Sequence, residues 1–201
     1  MILPVVILAG GEGRRMGGAA KGMLRLGTGT VLDEIVSRLR HQAYPLLLNL
    51  QVGDDRYGAR GIDILPEDAD LAGSGPLTGI LAALDWAVAQ DVLMIATVAV
   101  DTPFLPPDLL TRFAEAVGMA DAAYAVSNGR RHPVAALWRA RLAPELRRAM
   151  TQEGLRKVED WLDRIVAVPV AFHHRPIDPF FNINTPPELV AASAWIRSRD
   201  R

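Results

Sequence analysis

Residues 5–18 have the sequence VVILAGGEGRRMGG, in which an apolar run passes directly into a loop rich in glycine and arginine, and Lys21 follows shortly after. An apolar run without polar alternation is typical of a strand buried on both faces, as in parallel α/β sheets. Glycines let the backbone turn sharply and bring its N–H groups close to a ligand. Guanidinium and ammonium groups bind phosphate. The stretch therefore predicts a polyphosphate-binding loop at the carboxyl end of the first strand.

Two common phosphate-binding motifs do not fit this loop. The dinucleotide-binding fingerprint fails because Met16 stands where a third small residue is needed for packing between helix and strand. The P-loop fails because Gly22, rather than Ser or Thr, follows Lys21. An ordinary turn with solvated arginines is the alternative, but packing alone does not require three cations among so many glycines.

The composition is that of an enzyme with one sizeable core. With 201 residues, of which 50% are hydrophobic, we expect a single domain over residues 1–201. A net charge of -1 argues against nucleic acid or anionic membranes as partners. The absence of cysteine excludes disulfides, zinc–thiolate sites and thiol nucleophiles. The first apolar run lacks the flanks of a signal peptide, and no apolar stretch approaches the roughly 20 residues that span a bilayer. We therefore expect a cytoplasmic location.

Strand and helix patterns alternate along the chain, which predicts an α/β fold with a single-domain, Rossmann-like, doubly wound and mostly parallel sheet. The predicted strands are residues 5–8, 46–50, 62–65, 92–100, 123–127, 134–138 and 166–172. Thr30 and Asp33 predict the capped start of the first helix. Further helices are predicted at 77–90, after Pro106-Pro107-Asp108, and from about residues 141, 155 and 187. Ligands of such sheets bind outside the carboxyl ends of the strands.

Asp101 stands at one such strand end, because it directly follows residues 92–100, which carry no other charge. A carboxylate at that edge is well placed to hold Mg²⁺, a hard cation that takes one or two carboxylates together with phosphate oxygens. The alternative is that Asp101 caps the turn at Thr102-Pro103, a common role for Asp before proline. The residues alone leave both interpretations open.

These motifs resemble the nucleotidyltransferases of the nucleotide-diphospho-sugar transferase fold, and among them the molybdenum cofactor guanylyltransferases. The resemblance is carried by Leu8-Ala9-Gly10-Gly11, Arg15-Met16-Gly17 and Lys21, and then in the family's order by GPLTG (75–79), DTP (101–103), RHPV (131–134), GLRKV (154–158) and NINTP (182–186). One departure is that Ala20 precedes the loop lysine, where the family usually has an aspartate.

The resemblance implies a set of site residues. It implies catalytic roles for Arg15, Lys21 and Asp101, with Asp101 as the Mg²⁺ ligand. The implied substrate-binding residues are Leu8, Ala9, Gly10, Gly11, Lys21, Asn49, Asp68, Gly75, Gly79, Asp101, Arg156, Asn182 and Asn184.

Four of these residues also have a structural interpretation that does not involve substrate. Asn49 lies in an aliphatic strand and needs a partner, which is either a neighbouring carbonyl or the nucleotide. In the structural interpretation, Asp68 is a solvated charge in a loop. Gly75 otherwise belongs to a flexible connection, and Asn184 or Thr185 is otherwise only the N-cap of the last helix.

The resemblance implies a reaction in which the terminal phosphate of molybdopterin attacks the α-phosphorus of GTP and expels pyrophosphate, with Mg²⁺ as cofactor. Arg15 and Lys21 would stabilise the charge that grows on the β and γ phosphates. Molybdenum-insertion or molybdoenzyme-chaperone proteins are the protein partners to consider. The alternatives are a cytidylyltransferase on the same cofactor, a sugar-phosphate nucleotidyltransferase, and a non-catalytic nucleotide-binding regulatory module.

Overall fold

The protein is built around a seven-stranded sheet with helices on both faces. The structure, a computed structural model, describes residues 2–10, 20–58, 61–71, 73–173 and 176–199. The strands are β1 Leu3–Leu8, β2 Arg25–Leu26, β3 Gly29–Thr30, β4 Ala43–Leu50, β5 Asp63–Pro66, β6 Met94–Ala99, β7 Ala122–Ser127, β8 Arg130–Arg139 and β9 Ala167–Ala171. The helices are α1 Val31–Leu39, α2 Pro76–Ala89, α3 Leu109–Val117, α4 Ala143–Gln152, α5 Val158–Leu162 and α6 Pro186–Arg199.

The strand order of the large sheet is β5-β4-β1-β6-β8-β7-β9. β1 pairs in parallel with β4 and β6, β4 with β5, and β7 with β9, whereas β8 runs antiparallel to β6 and β7. The prediction of a mostly parallel, doubly wound sheet is therefore confirmed. From β1 the chain runs outwards to β4 and β5, and it then returns through α2 to β6 on the other side of β1. The point where the winding reverses therefore lies between β1 and β6. Sheets of this kind bind their ligands at that point.

The side chains of β1 explain why this strand is central. Val5 and Ile7 belong to the apolar cluster formed with α1, α3 and α6, and Val6 and Leu8 belong to the cluster formed with α2, α4 and α5. Successive side chains of a strand point to opposite faces, so an uninterrupted apolar run is needed when helices cover both. No helix in the described part of the chain is long and apolar enough to cross a membrane.

The first helix begins as its sequence predicts. Thr30 accepts a hydrogen bond from the backbone N–H of Asp33, and the Asp33 carboxylate accepts one from the backbone N–H of Thr30. This reciprocal capping box satisfies two N–H groups that the helix itself cannot pair.

The strand predicted at 134–138 is longer than expected and runs from Arg130 to Arg139. Its extra residues pair with β7 across a two-residue turn at Asn128 and Gly129, whose φ angles are 50° and 73°. Positive φ at both central residues is the geometry of the hairpin turns that Asn-Gly favours. The two arginines at 130 and 131 obscured this strand, because charged residues are not typical of a buried one.

A buried hydrogen-bond chain links β6 to β8. The Thr97 hydroxyl donates to the carbonyl of Val134 at 2.7 Å and accepts from the indole N–H of Trp138 at 2.9 Å. Thr97 and Trp138 are both completely buried. Because no water reaches these groups, the indole N–H of Trp138 depends on Thr97 for its hydrogen bond.

We predict that Thr97→Val lowers the free energy of unfolding by about 1–3 kcal/mol, because it preserves shape but leaves the Trp138 N–H unpaired. Urea denaturation measures the change. Thr151→Val is the control, since Thr151 is exposed on α4 and should shift stability by no more than about 0.5 kcal/mol. Equal stability of Thr97→Val and the parent would contradict the prediction.

Candidate active site

A cleft of about 460 Å³ opens at the carboxyl ends of β1, β4, β5 and β6. It therefore lies beside the point where the winding of the sheet reverses. The residues that line it and that the sequence had suggested are Leu8, Ala9, Gly10, Lys21, Asn49, Gly75, Gly79, Asp101 and Asn182. Its lining also includes Gln51, Tyr57 and Glu67, which sequence analysis did not single out, and Pro76 and Val134, which it quoted only as members of motifs. Gly11 and Arg15 lie outside the described residues.

Lys21 is held in this cleft by two side chains from distant parts of the chain. Its ammonium group lies 2.8 Å from Asp101 Oδ2 and 2.5 Å from Asn184 Oδ1. The side chains of Lys21 and Asp101 are 21% and 15% exposed, so the pair is only partly screened by solvent. The structure thus joins the loop lysine, the aspartate after β6 and the asparagine before α6 into one charged cluster.

Ala20, which replaces the aspartate usual in similar sequences, is buried and 6% exposed. It packs in the apolar cluster on the α1 side of the sheet. The orientation of Lys21 comes from Asp101 and Asn184 instead.

Asp101 keeps one carboxylate oxygen without a partner. Its Oδ1 is buried and accepts no hydrogen bond from any described residue. The turn that follows is held by Thr102, whose backbone N–H and hydroxyl both donate to the carbonyl of Ala99, so the described contacts do not use the Asp101 carboxylate as a cap. An unpartnered carboxylate oxygen on a residue that lines the cleft fits a hard cation, which takes oxygen ligands.

The segment that carries Asn182 and Asn184 is anchored beside Asp101. The backbone N–H of Ile183 donates to the carbonyl of Asp101 at 2.8 Å, and the Ile183 side chain is fully buried. The backbone N–H of Asn184 donates to the carboxylate of Glu188, and this hydrogen bond, with a smaller contribution from nearby Lys21, lowers the pKa of Glu188. The backbone N–H of Glu188, in the first turn of α6, donates to Thr185 Oγ1 at 3.5 Å. The Asn184 side-chain amide is therefore not needed there, and its oxygen accepts from Lys21.

Earlier on this segment, Asp178 accepts hydrogen bonds from the Ser127 hydroxyl at 2.8 and 2.9 Å. His132 Nε2 lies 2.8 Å from the same hydroxyl, and its ring stacks on Phe180 at 4.7 Å. Burial lowers the pKa of His132, which favours its neutral form. The motif around His132 therefore fastens the segment to the β7–β8 hairpin.

Asn49 stands at the other side of the cleft and is fully buried. Its Nδ2 donates to the carbonyl of Leu65 at 3.0 Å, while its Oδ1 has no partner among the described residues. Gly79 on α2 makes room for this amide, because a Cβ there would collide with Asn49 Oδ1. The neighbouring carbonyl thus satisfies one half of the amide and leaves an acceptor for a ligand.

Three of the suggested residues that the structure describes are absent from the cleft lining: Asn184, which touches the site through Lys21, and Asp68 and Arg156, which are bound by other parts of the protein. The Asp68 carboxylate pairs with Arg147 at 2.8 Å, and this hydrogen bond lowers the pKa of Asp68. Arg147 also bonds Asp85 at 2.7 Å. The guanidinium of Arg156 donates to the carbonyls of Met150 and Leu155 near the end of α4. Carbonyls at a helix C-terminus lack intrahelical partners, which explains why an arginine is bound there.

Comparison with known proteins identifies the family. Residues 5–165 match the model of the MobA-like NTP transferase domain. The chain is 40% identical over 199 residues to a molybdenum cofactor guanylyltransferase of Mesorhizobium japonicum, covering 96% of this chain and 95% of that protein. A protein of the same name from Bradyrhizobium sp. is 39% identical over 203 residues, covering 99% and 95%. This chain belongs to the MobA-like NTP transferase family. It is therefore a nucleotidyltransferase, and the resemblance seen in its motifs is confirmed.

Solved structures agree with this fold. The molybdopterin-guanine dinucleotide biosynthesis protein A of Archaeoglobus fulgidus superposes with a TM-score of 0.78 at 23% identity, covering 98% of this chain and all 100% of that one. The 2-C-methyl-D-erythritol 4-phosphate cytidylyltransferase of Thermus thermophilus superposes with a TM-score of 0.71 at 21% identity, covering 98% and 100%. The sheet of this MobA-like NTP transferase is thus shared with enzymes named for different nucleotides.

Tyr57 and Glu67 are two of the cleft residues that sequence analysis did not single out in this MobA-like NTP transferase. Tyr57 is only 2% exposed, and its hydroxyl accepts a hydrogen bond from the backbone N–H of Gly22 at 3.4 Å, next to Lys21. Glu67 comes one residue before the suggested Asp68. Residues two apart share a face of an extended chain, and Leu65 packs against the α2 side, so the period of β5 could have indicated Glu67 as the residue facing the cleft.

We predict that Gly79→Ala destabilises the protein by about 1–3 kcal/mol, although alanine favours a helix over glycine by about 1 kcal/mol. The added methyl group would displace the Asn49 amide. Chemical denaturation of Gly79→Ala, Asn49→Ala and the double variant measures the coupling. In the Asn49→Ala background, Gly79→Ala should cost less. An equal loss of stability in both backgrounds would show that the added methyl group does not act through the Asn49 amide.

Proposed function

We propose that this nucleotidyltransferase transfers GMP from GTP to the terminal phosphate of molybdopterin, releases pyrophosphate and forms the guanine dinucleotide form of the molybdenum cofactor. The relatives at about 40% identity are named for a guanylyl transfer to this cofactor. The observation that carries the proposal is the cluster of Lys21, Asp101 and Asn184, of which Lys21 and Asp101 line a cleft at the reversal point of the sheet. Residues 1–201 act in this proposal as one domain in the cytoplasm.

The main task of the chain is to bring two anionic phosphates together, because the acceptor phosphate and the triphosphate repel each other. Alignment and neutralisation of charge are how proteins accelerate such transfers. Among the described residues, Lys21 is a cation that lines the cleft, where Asp101 and Asn184 hold it. We propose that Arg15 also contacts the phosphates. The attacking phosphate oxygen is already ionised, so no general base is required. Lys21 would bind the departing pyrophosphate as negative charge grows on it.

Asp101 is the residue that we propose to hold Mg²⁺. Its Oδ1 is buried and unpartnered among the described residues. Within the described ranges, no three His, Cys, Asp or Glu side chains gather into a metal site. That fits an ion that takes few protein carboxylates and completes its shell with phosphate oxygens and water. Mg²⁺ bound there would supply positive charge to the phosphate oxygens.

Binding of substrates is proposed for the residues around the cluster. Leu8, Ala9, Gly10, Gly75 and Gly79 would surround the nucleotide, together with Asn49 and, beyond the described residues, Gly11. Asn182 would face the acceptor side. Asp68 and Arg156 could contact substrate only after leaving Arg147 and the carbonyls at the end of α4. Molybdenum-insertion or molybdoenzyme-chaperone proteins are the proposed protein partners.

The proposed reaction predicts pyrophosphate release only when GTP, Mg²⁺ and molybdopterin are all present. We expect GTP to be the preferred donor when the four nucleoside triphosphates are compared in a transfer assay. A preference for CTP would make the protein a cytidylyltransferase, and transfer only to other sugar phosphates would change the acceptor. Tight GTP binding without pyrophosphate release would indicate a regulatory module.

A second prediction concerns the metal. Asp101→Asn keeps the size of the side chain but removes its charge, so transfer should fall by orders of magnitude while the fold persists. The matched control is Asp108→Asn, since Asp108 is exposed before α3 and its side chain caps nothing there. Transfer rates are measured over a Mg²⁺ titration, with circular dichroism to check the fold. Parent-like turnover and Mg²⁺ dependence in Asp101→Asn would remove Asp101 from the metal site.

A further inference from the structure

The cleft contains a second carboxylate for which the proposed mechanism has no use. Glu67 follows β5, and its backbone N–H donates to the carbonyl of Leu50 at 3.0 Å. Its side chain lines the cleft, and in the described part of the chain no hydrogen bond or ion pair is formed by its carboxyl group. The carboxyl group lies against Gly10, where any Cβ would collide with Glu67 Oε1. An acceptor group is thus presented at the start of the phosphate-binding loop without a donor among the described residues.

The order of the strands places Glu67 and Asp101, the partner of Lys21, at opposite ends of the cleft. Along the sheet the order is β5, β4, β1 and β6, with Glu67 after β5 and Asp101 after β6. A triphosphate is attracted to Lys21 and would be repelled by an unpaired carboxylate. The uncharged part of the nucleotide therefore belongs at the β4–β5 end of the cleft.

The side chains that line this end of the cleft carry hydrogen-bond acceptors, so a ligand that binds here needs hydrogen-bond donors. Asn49 contributes a buried Oδ1 that has no partner among the described residues. Glu67 contributes two carboxylate oxygens. Partial burial raises the pKa of this group, because the charged form loses hydration, and N–H donors of a ligand would offset that loss. The neighbouring Asp68 is engaged by Arg147 and offers no such free group. The chemistry that fits this end of the cleft is a flat ring edge with adjacent N–H donors.

We propose that Glu67 is the residue that selects guanine, by accepting paired hydrogen bonds from the N1–H and the 2-amino group of the base. This inference rests on the proposed function and names the specificity determinant of its donor site. A carboxylate accepts two parallel N–H donors well, and such charge-assisted pairs are strong. Cytosine presents its amino group beside a ring acceptor, so it can form only one of the two bonds and opposes the second.

The test is the affinity of the protein for GTP, ITP, CTP and 2′-deoxyGTP with Mg²⁺, measured by calorimetry without acceptor. ITP lacks the 2-amino group, and 2′-deoxyGTP lacks one ribose hydroxyl. The parent should bind GTP about tenfold or more tightly than ITP, and 2′-deoxyGTP close to GTP. In Glu67→Gln, which puts an amide N–H₂ against the guanine donors, GTP affinity should fall by about tenfold to a hundredfold, and the preference for GTP over ITP should disappear.

The control variant is Asp63→Asn, which changes an exposed carboxylate of β5, the strand that Glu67 follows, and should leave the ratio of GTP to ITP affinity as in the parent. Asp68→Asn tests the adjacent carboxylate. An unchanged ratio in Glu67→Gln overturns the inference, as does a ratio that collapses in Asp68→Asn instead. A loss that is equal for GTP, ITP and CTP but absent for 2′-deoxyGTP also overturns it, because Glu67 would then bind the ribose. A parent that transfers GMP, with an unchanged ratio in Glu67→Gln, defeats only this inference. A parent that binds no GTP defeats the proposed function and this inference together.

Discussion

The parallel pairing of β1 with both β4 and β6 is the constraint on which the rest of this molecule depends. In these ladders Leu8 lies opposite Asn49 on one side and opposite Ala99 on the other. Parallel strands end at the same edge of a sheet, so the loop after β1, the polar end of β4 and Asp101 after β6 are brought side by side. The pairing is possible because both faces of β1 are covered by apolar clusters. A strand of this composition would not be stable with either face in water.

The charged cluster at this edge shows how a fold makes a site from distant residues. Lys21 is separated by 80 residues from Asp101 and by 163 from Asn184. Asn184 reaches the cluster because Ile183 is buried and its backbone N–H bonds the carbonyl of Asp101. Asp101 Oδ1 has no partner among the described residues, which supports the proposal that this cluster binds a cation and phosphate. The family membership of the chain agrees with this chemistry.

The cleft has two regions of different chemistry, and two glycines leave space for the polar groups of one of them. Gly79 leaves space for the Asn49 amide, and Gly10 leaves space for the Glu67 carboxyl group. Both polar groups lie towards β4 and β5, whereas Lys21 and Asp101 lie towards β6. A nucleotide has a similar division, with donors on its base and negative charge on its phosphates. We infer that the orientation of the substrate follows from this gradient of charge along the sheet edge.

The sequence by itself determined the features that depend on near neighbours. The apolar run of β1, the capping box of Thr30 and Asp33, and the aspartate after β6 follow from local pattern, and the structure places each of them as predicted. Only the tertiary structure decided the strand order, the antiparallel direction of β8, and the partners of long side chains. Asp68 and Arg156 were suggested as ligands of substrate, yet Arg147 and the end of α4 bind them. Glu67, rather than its neighbour, lines the cleft. The physical reason is that pairing and burial of flexible charged groups depend on contacts between segments far apart in the chain, which local periodicity does not encode.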